Sequence, residues 1–193
     1  DEPNSWAINQ DDLKELIRRT IFAAAPPDEI RPYLRGVFME AQDSQLTMVA
    51  TDSSRISICR SPLEVGGLRA LVPAKSLIEL NRLLPIDDVQ DIIVSLGENQ
   101  VLFTMGDLQF YSRLIDYQFP DYNRVLPQHD PIAMIQVNKA SLEEALERVA
   151  LLVRKGGAVI NVELIDGVLR LELHASDVGD ASEEIDVQQN GDN

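Results

Sequence analysis

The sequence predicts an α+β fold in which antiparallel sheets pack on amphipathic helices and one module is used twice. Three observations predict it. Short runs of period-two alternation are separated by turn-forming residues, three longer segments carry apolar residues at helical spacing, and the order of these elements begins again at Ile132.

The first helix places Leu13, Leu16, Ile17, Thr20, Ile21 and Ala24 on one face. Asn9 suits its N-cap, with Asp12 three positions on, and Pro26-Pro27 is expected to stop it. The opposite face carries Lys14, Arg18 and Arg19, which reads either as a basic surface or as a solvated face with intrahelical pairs such as Glu15–Arg19. Strands follow over residues 33–40, 45–50 and 55–60, the first two joined by the turn Ala41-Gln42-Asp43-Ser44. A short strand, 70–72, leads through Pro73 into a helix over 74–84 with Leu77, Leu80 and Leu84 inward. Three more strands, 92–96, 100–105 and 108–114, are linked by Gly97-Glu98-Asn99 and Gly106-Asp107, both hairpin-forming.

The second copy starts with a strand over 132–137. Asn138 caps a helix whose inward face is Leu142, Ala145, Leu146, Val149 and Val153, and Arg154-Lys155-Gly156-Gly157 reads as a basic helix end. Strands over 159–164 and 168–174 flank the turn Asp166-Gly167, and a further run covers 183–187. The hairpin ending Val49-Ala50-Thr51-Asp52 corresponds to the one ending His174-Ala175-Ser176-Asp177, at a spacing of about 125–130 residues. The chain therefore divides into a complete module, 1–128, and an incomplete copy, 129–193, whose open sheet edge and bare helix face are expected to fray or self-associate.

Composition bounds the chemistry. With 193 residues, 45% of them apolar, the chain can bury a real core, and a formal charge of −15 argues against general adhesion to nucleic acid while allowing a local basic patch. Cys59, the single cysteine, has no intramolecular partner and fits a reducing compartment. No apolar run reaches the length of a membrane span and the first residues lack a leader's pattern, so the expectation is a cytoplasmic protein without membrane contact. Neither phosphate-cradling glycine pattern occurs, His129 and His174 are isolated, and Cys59 reads as a strand residue. The acidic runs Asp87-Asp88 and 180–186 read as solvated loops. No cofactor, metal or catalytic residue is expected.

The most informative stretch is residues 112–127 (SRLIDYQFPDYNRVLP), a strand that breaks into an irregular segment rich in apolar side chains. Phe119 and Tyr122 suit either the core or a groove. Pro120, Arg124 and Val125 suit a groove for a partner, because a proline-rigid loop loses little entropy on binding.

Together with VATDSSRISIC (49–59) and ALVPAKSLIEL (70–80), that stretch resembles the middle domain of the bacterial sliding clamp, the β subunit of DNA polymerase III, and the likeness runs on into that family's third domain. The resemblance implies a processivity factor, a ring of two subunits with three domains each, of which this chain is similar to the second and about half of the third. It implies no enzymatic activity. Polymerase, clamp loader and repair proteins insert short hydrophobic peptides between the second and third domains of such clamps. The matching positions are Leu34, Thr51, Ser53, Ser54, Arg55, Ile56, Pro120, Arg124 and Val125. Leu34, Ile56, Pro120 and Val125 would give aliphatic walls, with Arg55 and Arg124 at the rim. The family's further pocket residues would fall beyond Asn193. Many clamps have Gly-His or Ser-His at Ser53-Ser54, a Gly at Tyr117, and some an Arg at Ala74.

The ring's inner face implies DNA contact through phosphates without sequence readout, by Lys14, Arg18, Lys75, Arg82 and Arg148, with Arg31 and Tyr33 in a loop near the DNA path. DNA binding is expected only from the complete ring. Two rivals stand beside this reading: a clamp-like scaffold that docks peptides and never encircles DNA, and an acidic enzyme using paired carboxylates, for which no suitable spacing is present.

Overall fold

A computed structural model describes residues 4–64, 67–84, 90–153, 159–175 and 179–191. They form two compact units, Asp1–Asp121 and Tyr122–Asn193.

In the first unit a strand precedes the helix. β1 (Asn4–Asn9) runs into α1 (Gln10–Thr20), where the Asn9 side chain accepts from the Asp11 N–H and so caps the helix. Leu13, Leu16 and Ile17 are fully buried, each contributing roughly 1.5–3 kcal/mol by leaving water. α1 ends earlier than the prolines require. The Thr20 hydroxyl donates back to the Leu16 carbonyl at 2.7 Å, the next turn (Ile21–Ala23) is 3₁₀, and Ala24 is already extended.

Pro32–Arg35 is a 3₁₀ turn, so the strand expected from residue 33 begins only at β2 (Gly36–Gln42). Proline fixes φ and suits a helical first turn, which overrides the strand-like alternation there. β3 (Gln45–Thr51) follows a two-residue turn with positive φ at Asp43 and Ser44, and β4 (Ile56–Pro62) follows a tight loop. β5 (Leu68–Pro73) leads directly into α2 (Ala74–Leu83), with Leu77 and Leu80 buried. β6 (Asp91–Leu96), β7 (Gln100–Met105) and β8 (Leu108–Arg113) complete the unit as an antiparallel meander. The sheet orders are β4-β3-β2-β5 and β1-β6-β7-β8, and both sheets share one aliphatic core with α1 and α2.

The second unit contains β9 (Ala133–Gln136), α3 (Lys139–Ala150), β10 (Ile160–Ile165), β11 (Val168–Ala175), β12 (Gly179–Asp186) and β13 (Gln188–Gly191). Asn138 caps α3 by accepting from the Ser141 N–H. Ala145 and Val149 pack with Leu169, Leu171, Leu173 and Ile185, while Leu146 and Val153 are exposed, so α3 buries a narrower stripe than its periodicity suggests. The antiparallel order β10-β11-β12 repeats the β2-β3-β4 order after α1, which is the repeat read in the sequence.

Residues 180–186 lie in β12 rather than in a solvated loop. Its acids have cross-strand partners: Glu184 pairs with Arg170 and Asp180 with His174. Asp87-Asp88, Arg154-Lys155-Gly156-Gly157 and Ser176-Asp177 lie outside the described residues. Cys59 is a half-buried residue of β4, as expected. Among the described residues no helix is long and apolar enough to cross a membrane, and no cluster of metal-ligating side chains occurs.

Candidate partner-binding loop and basic residues

The connection between β3 and β4 is built by its own side chains. Thr51 Oγ1 donates to the Arg55 carbonyl at 2.7 Å and accepts from the Ser53 N–H at 3.1 Å. Asp52 Oδ1 accepts from the N–H groups of Ser54 and Arg55, both at 3.0 Å, and Oδ2 accepts from Arg55 Nε at 3.0 Å. Three consecutive amides are thereby satisfied without a sheet partner. Burial pushes the Asp52 carboxyl up, but the Ser54 and Arg55 amides and the Arg55 guanidinium outweigh it and hold it below the ordinary value. Ser53 has φ of 80°, the left-handed region that favours glycine.

The loop therefore presents Arg55 in a fixed place. Its guanidinium carbon also lies 5.7 Å from the ring centre of Phe22, in the turn after α1. Ser57 donates from its hydroxyl to the Arg19 carbonyl, which ties β4 to the end of the same helix. Ser53 and Ser54 are exposed and Thr51 and Ile56 half-buried beside Arg55. Leu34, in contrast, is 3% exposed: it belongs to the packed interior, where its carbonyl accepts from the Ala25 N–H.

The irregular segment after β8 is pinned to the first unit. Leu114 donates to the Asn99 carbonyl and Ile115 to the Leu71 carbonyl. Phe119 is buried and stacks flat on Phe38, ring centres 5.0 Å apart. Phe119 thus resolves as core, and it fixes the chain immediately before the exposed Pro120. In the second unit Tyr122–Arg124 is a 3₁₀ turn, closed by the Val125 N–H on the Tyr122 carbonyl at 3.2 Å. Val125 is 68% exposed, and Gln128 bonds to the Asn123 and Leu126 carbonyls beneath it.

Most of the expected DNA-contacting cations are engaged with acids. Arg18 pairs with Glu15, Arg31 with Glu29, Arg82 with Glu79, and Arg148 with Glu183, all at 2.7–2.9 Å. Arg31 holds the Glu29 carboxyl down at about 2 through its guanidinium and its own N–H. Lys75 is exposed at the start of α2, Lys14 is half-buried on α1, and Tyr33 is half-buried in the 3₁₀ turn. Composition and spacing could not show this pairing across Arg148 and Glu183, which are joined only by the packing of α3 on β12. Sequence reasoning also missed Phe22 and Asp52 as the two anchors of Arg55. The Thr-Asp-x-x-Arg spacing of residues 51–55 was the available signal for Asp52, and nothing local marks Phe22.

Residues 7–121 match the family model for the central domain of the DNA polymerase III β subunit, and residues 123–193 match that for its C-terminal domain. The chain is 35% identical over 192 residues to the β sliding clamp of Pseudomonas aeruginosa, covering 98% of this chain and 52% of that one. It superposes on the crystal structure of the Pseudomonas aeruginosa DNA polymerase III β subunit with a TM-score of 0.91 at 32% identity, over 99% of this chain and 52% of the other. A structure of that organism's clamp bound to griselimycin gives 0.88 at 33% identity, over 97% and 51%. The chain spans about half the length of the relatives it matches.

Proposed function

The chain belongs to the family of DNA polymerase III β subunits, the bacterial sliding clamps, and from that premise we propose that it serves replication as a docking module rather than as a catalyst. The observation that carries the reading is the loop over residues 51–56. Thr51 and Asp52 consume its amides internally, so Arg55 and the neighbouring Ile56 wall are held ready before any partner arrives. Preorganisation of this kind lowers the entropy that a partner peptide must overcome. Ile56 and Pro120 supply apolar contact and Ser53, Ser54 and Arg55 supply hydrogen bonds at the rim. Leu34, being buried, is left out of the contact surface. Arg124 and Val125, in the second unit, carry the same expectation and are tested in their own right.

The function of such docking is tethering. A polymerase held to a clamp on its template has a high effective concentration at the primer end, with no bond chemistry by the clamp. Polymerase, clamp loader and repair proteins are the partners this reading implies, as is a two-subunit ring in the cytoplasm. DNA contact by Lys14, Arg18, Arg31, Tyr33, Lys75, Arg82 and Arg148 is weak in this chain alone, because four of the six cations among them already satisfy carboxylates.

The test is a titration of isotope-labelled protein with a short peptide carrying Gln followed by Leu and Phe, read by amide shifts. Saturable shifts at residues 51–56, reduced by Pro120→Ala, support the proposal; for the second unit the expectation is shifts at residues 123–125, reduced by Arg124→Ala. A well-dispersed spectrum without shifts there overturns it. Nanomolar, salt-sensitive binding of duplex DNA by the chain alone contradicts the weak-contact part.

A further inference from the structure

A groove in the first unit is lined by none of the residues of the 51–56 loop. Ile21, Pro26, Pro27, Ile78 and Ile115 form the walls of a cavity of about 540 Å³, within the size range of ligand sites. Its frame is stiff: Pro26-Pro27 forms one side, and Pro73 with Ala74, the start of α2 without a side-chain cap, forms another. Ile78 is 40% exposed although it sits on a helix that buries Leu77 and Leu80, so the groove holds apolar surface open to solvent.

Two cations, Arg35 and Lys75, line the same groove. Neither forms an ion pair among the described residues, whereas Arg18, Arg19, Arg31, Arg55, Arg69, Arg82, Arg148 and Arg170 all do. What sets these two apart is their place: both line one apolar groove, in a chain with 32 acids against 17 basic residues. Apolar walls favour aliphatic side chains and the two cations favour carboxylates next to them. No aromatic ring lines the groove, so a nucleic-acid base has nothing there on which to stack.

We propose that this groove docks a partner segment in which two aliphatic residues are followed directly by acidic ones, making it a second peptide site on the same module. The aliphatic side chains lie between Pro26-Pro27 and Ile78, and the acids reach Arg35 and Lys75. The site goes beyond the docking loop and does not depend on it. An acidic partner also meets general repulsion from the −15 charge of the chain, so the two cations act as a local gate that admits acids only in this register.

The test uses the full chain, isotope-labelled, with two probes: Ac-Ile-Ile-Glu-Asp-NH2 and its neutral analogue Ac-Ile-Ile-Gln-Asn-NH2. The expected result is saturable amide shifts at Ala24, Lys75, Ile78 and Ile115, with the acidic probe bound about tenfold tighter than the neutral one. Arg35→Glu with Lys75→Glu should abolish that preference, and Ile78→Ser should weaken both probes. All three positions are exposed, so the variants keep the fold, which amide dispersion verifies. Equal affinity for the two probes, shifts confined to residues 51–56, or no shift at about 10 mM probe each overturns the proposal. So does a response at these amides to a short DNA duplex with none to the acidic probe, which would give the groove to nucleic acid.

Discussion

Replacing Asp52 by Ala removes the organising group of the docking loop while leaving every expected peptide-contacting side chain in place. The carboxylate accepts from two amides and from Arg55 Nε, each at 3.0 Å. In a loop open to water those donors can rehydrate, so each bond is worth about 0.5–1 kcal/mol net and the three together about 2 kcal/mol. If that is the cost of holding the loop in place, the ordered form falls by roughly 30-fold relative to disordered alternatives, and peptide affinity falls by up to the same factor. Asp52→Asn is the control. It keeps an acceptor oxygen for the two amides and loses only the charge and the bond to Arg55, for which about a threefold to fivefold loss is expected. The assay is fluorescence polarisation of the labelled Gln-Leu-Phe type peptide, with amide shifts of residues 53–55 reporting loop order. The pH dependence has a defined sign. The Asp52 carboxyl lies below its ordinary value of 3.8 in the folded state, so its contribution is present above about that pH and is lost as pH falls further. Unchanged affinity and unchanged loop shifts in Asp52→Ala would refute the claim that the loop is prebuilt by this side chain.

Three further outcomes follow from the geometry. Ser53→Val places a β-branched side chain at φ of 80° and should lower stability by about 1–2 kcal/mol in urea unfolding, while Ser53→Gly should be neutral or slightly stabilising. Phe119→Ala should cost about 3 kcal/mol, because it removes a buried ring stacked on Phe38, and Phe119→Leu only about 1 kcal/mol; equal effects would show the stack to be irrelevant. The His174 Nδ1–H donates to Asp180 Oδ1 at 3.0 Å, and that hydrogen bond raises the His174 pKa above the ordinary 6.5. The β11–β12 pairing should therefore be fully supported below about pH 6.5 and lose that support as pH rises through the folded value. An NMR titration should show the His174 midpoint falling in Asp180→Asn, while Glu172 continues to raise it.

Residues acting over short spans were legible in the sequence. Asn9 and Asn138 cap helices because an Asx side chain reaches the amides of the next turn, and the turns at Asp43-Ser44 and Asp166-Gly167 adopt positive φ, as hairpins of two-residue connection require. The inward faces of α1 and α2 followed from periodicity, and so did the repeat of α1-β2-β3-β4 as α3-β10-β11-β12. β1 was missed although Trp6 and Ile8 alternate with exposed Ser5 and Ala7. Its strand character depends on pairing with β6, more than eighty residues away in the chain. β13, Gln-Gln-Asn-Gly, has no apolar pattern at all and is a strand only because β9 lies beside it.

The sequence by itself determined the module, its repetition and the identity of the loop residues, because turn chemistry, capping and amphipathic period are local properties of a few neighbouring side chains. Only the tertiary structure decided which charges were spent and which remained. Whether Arg148 meets Glu183, whether Arg55 rests on Phe22, and whether Arg35 and Lys75 stand without an acid beside an apolar groove are outcomes of packing between distant segments. An ion pair or a cation–π contact needs its two groups within a few ångströms, and linear spacing says nothing about that once the chain has folded back on itself.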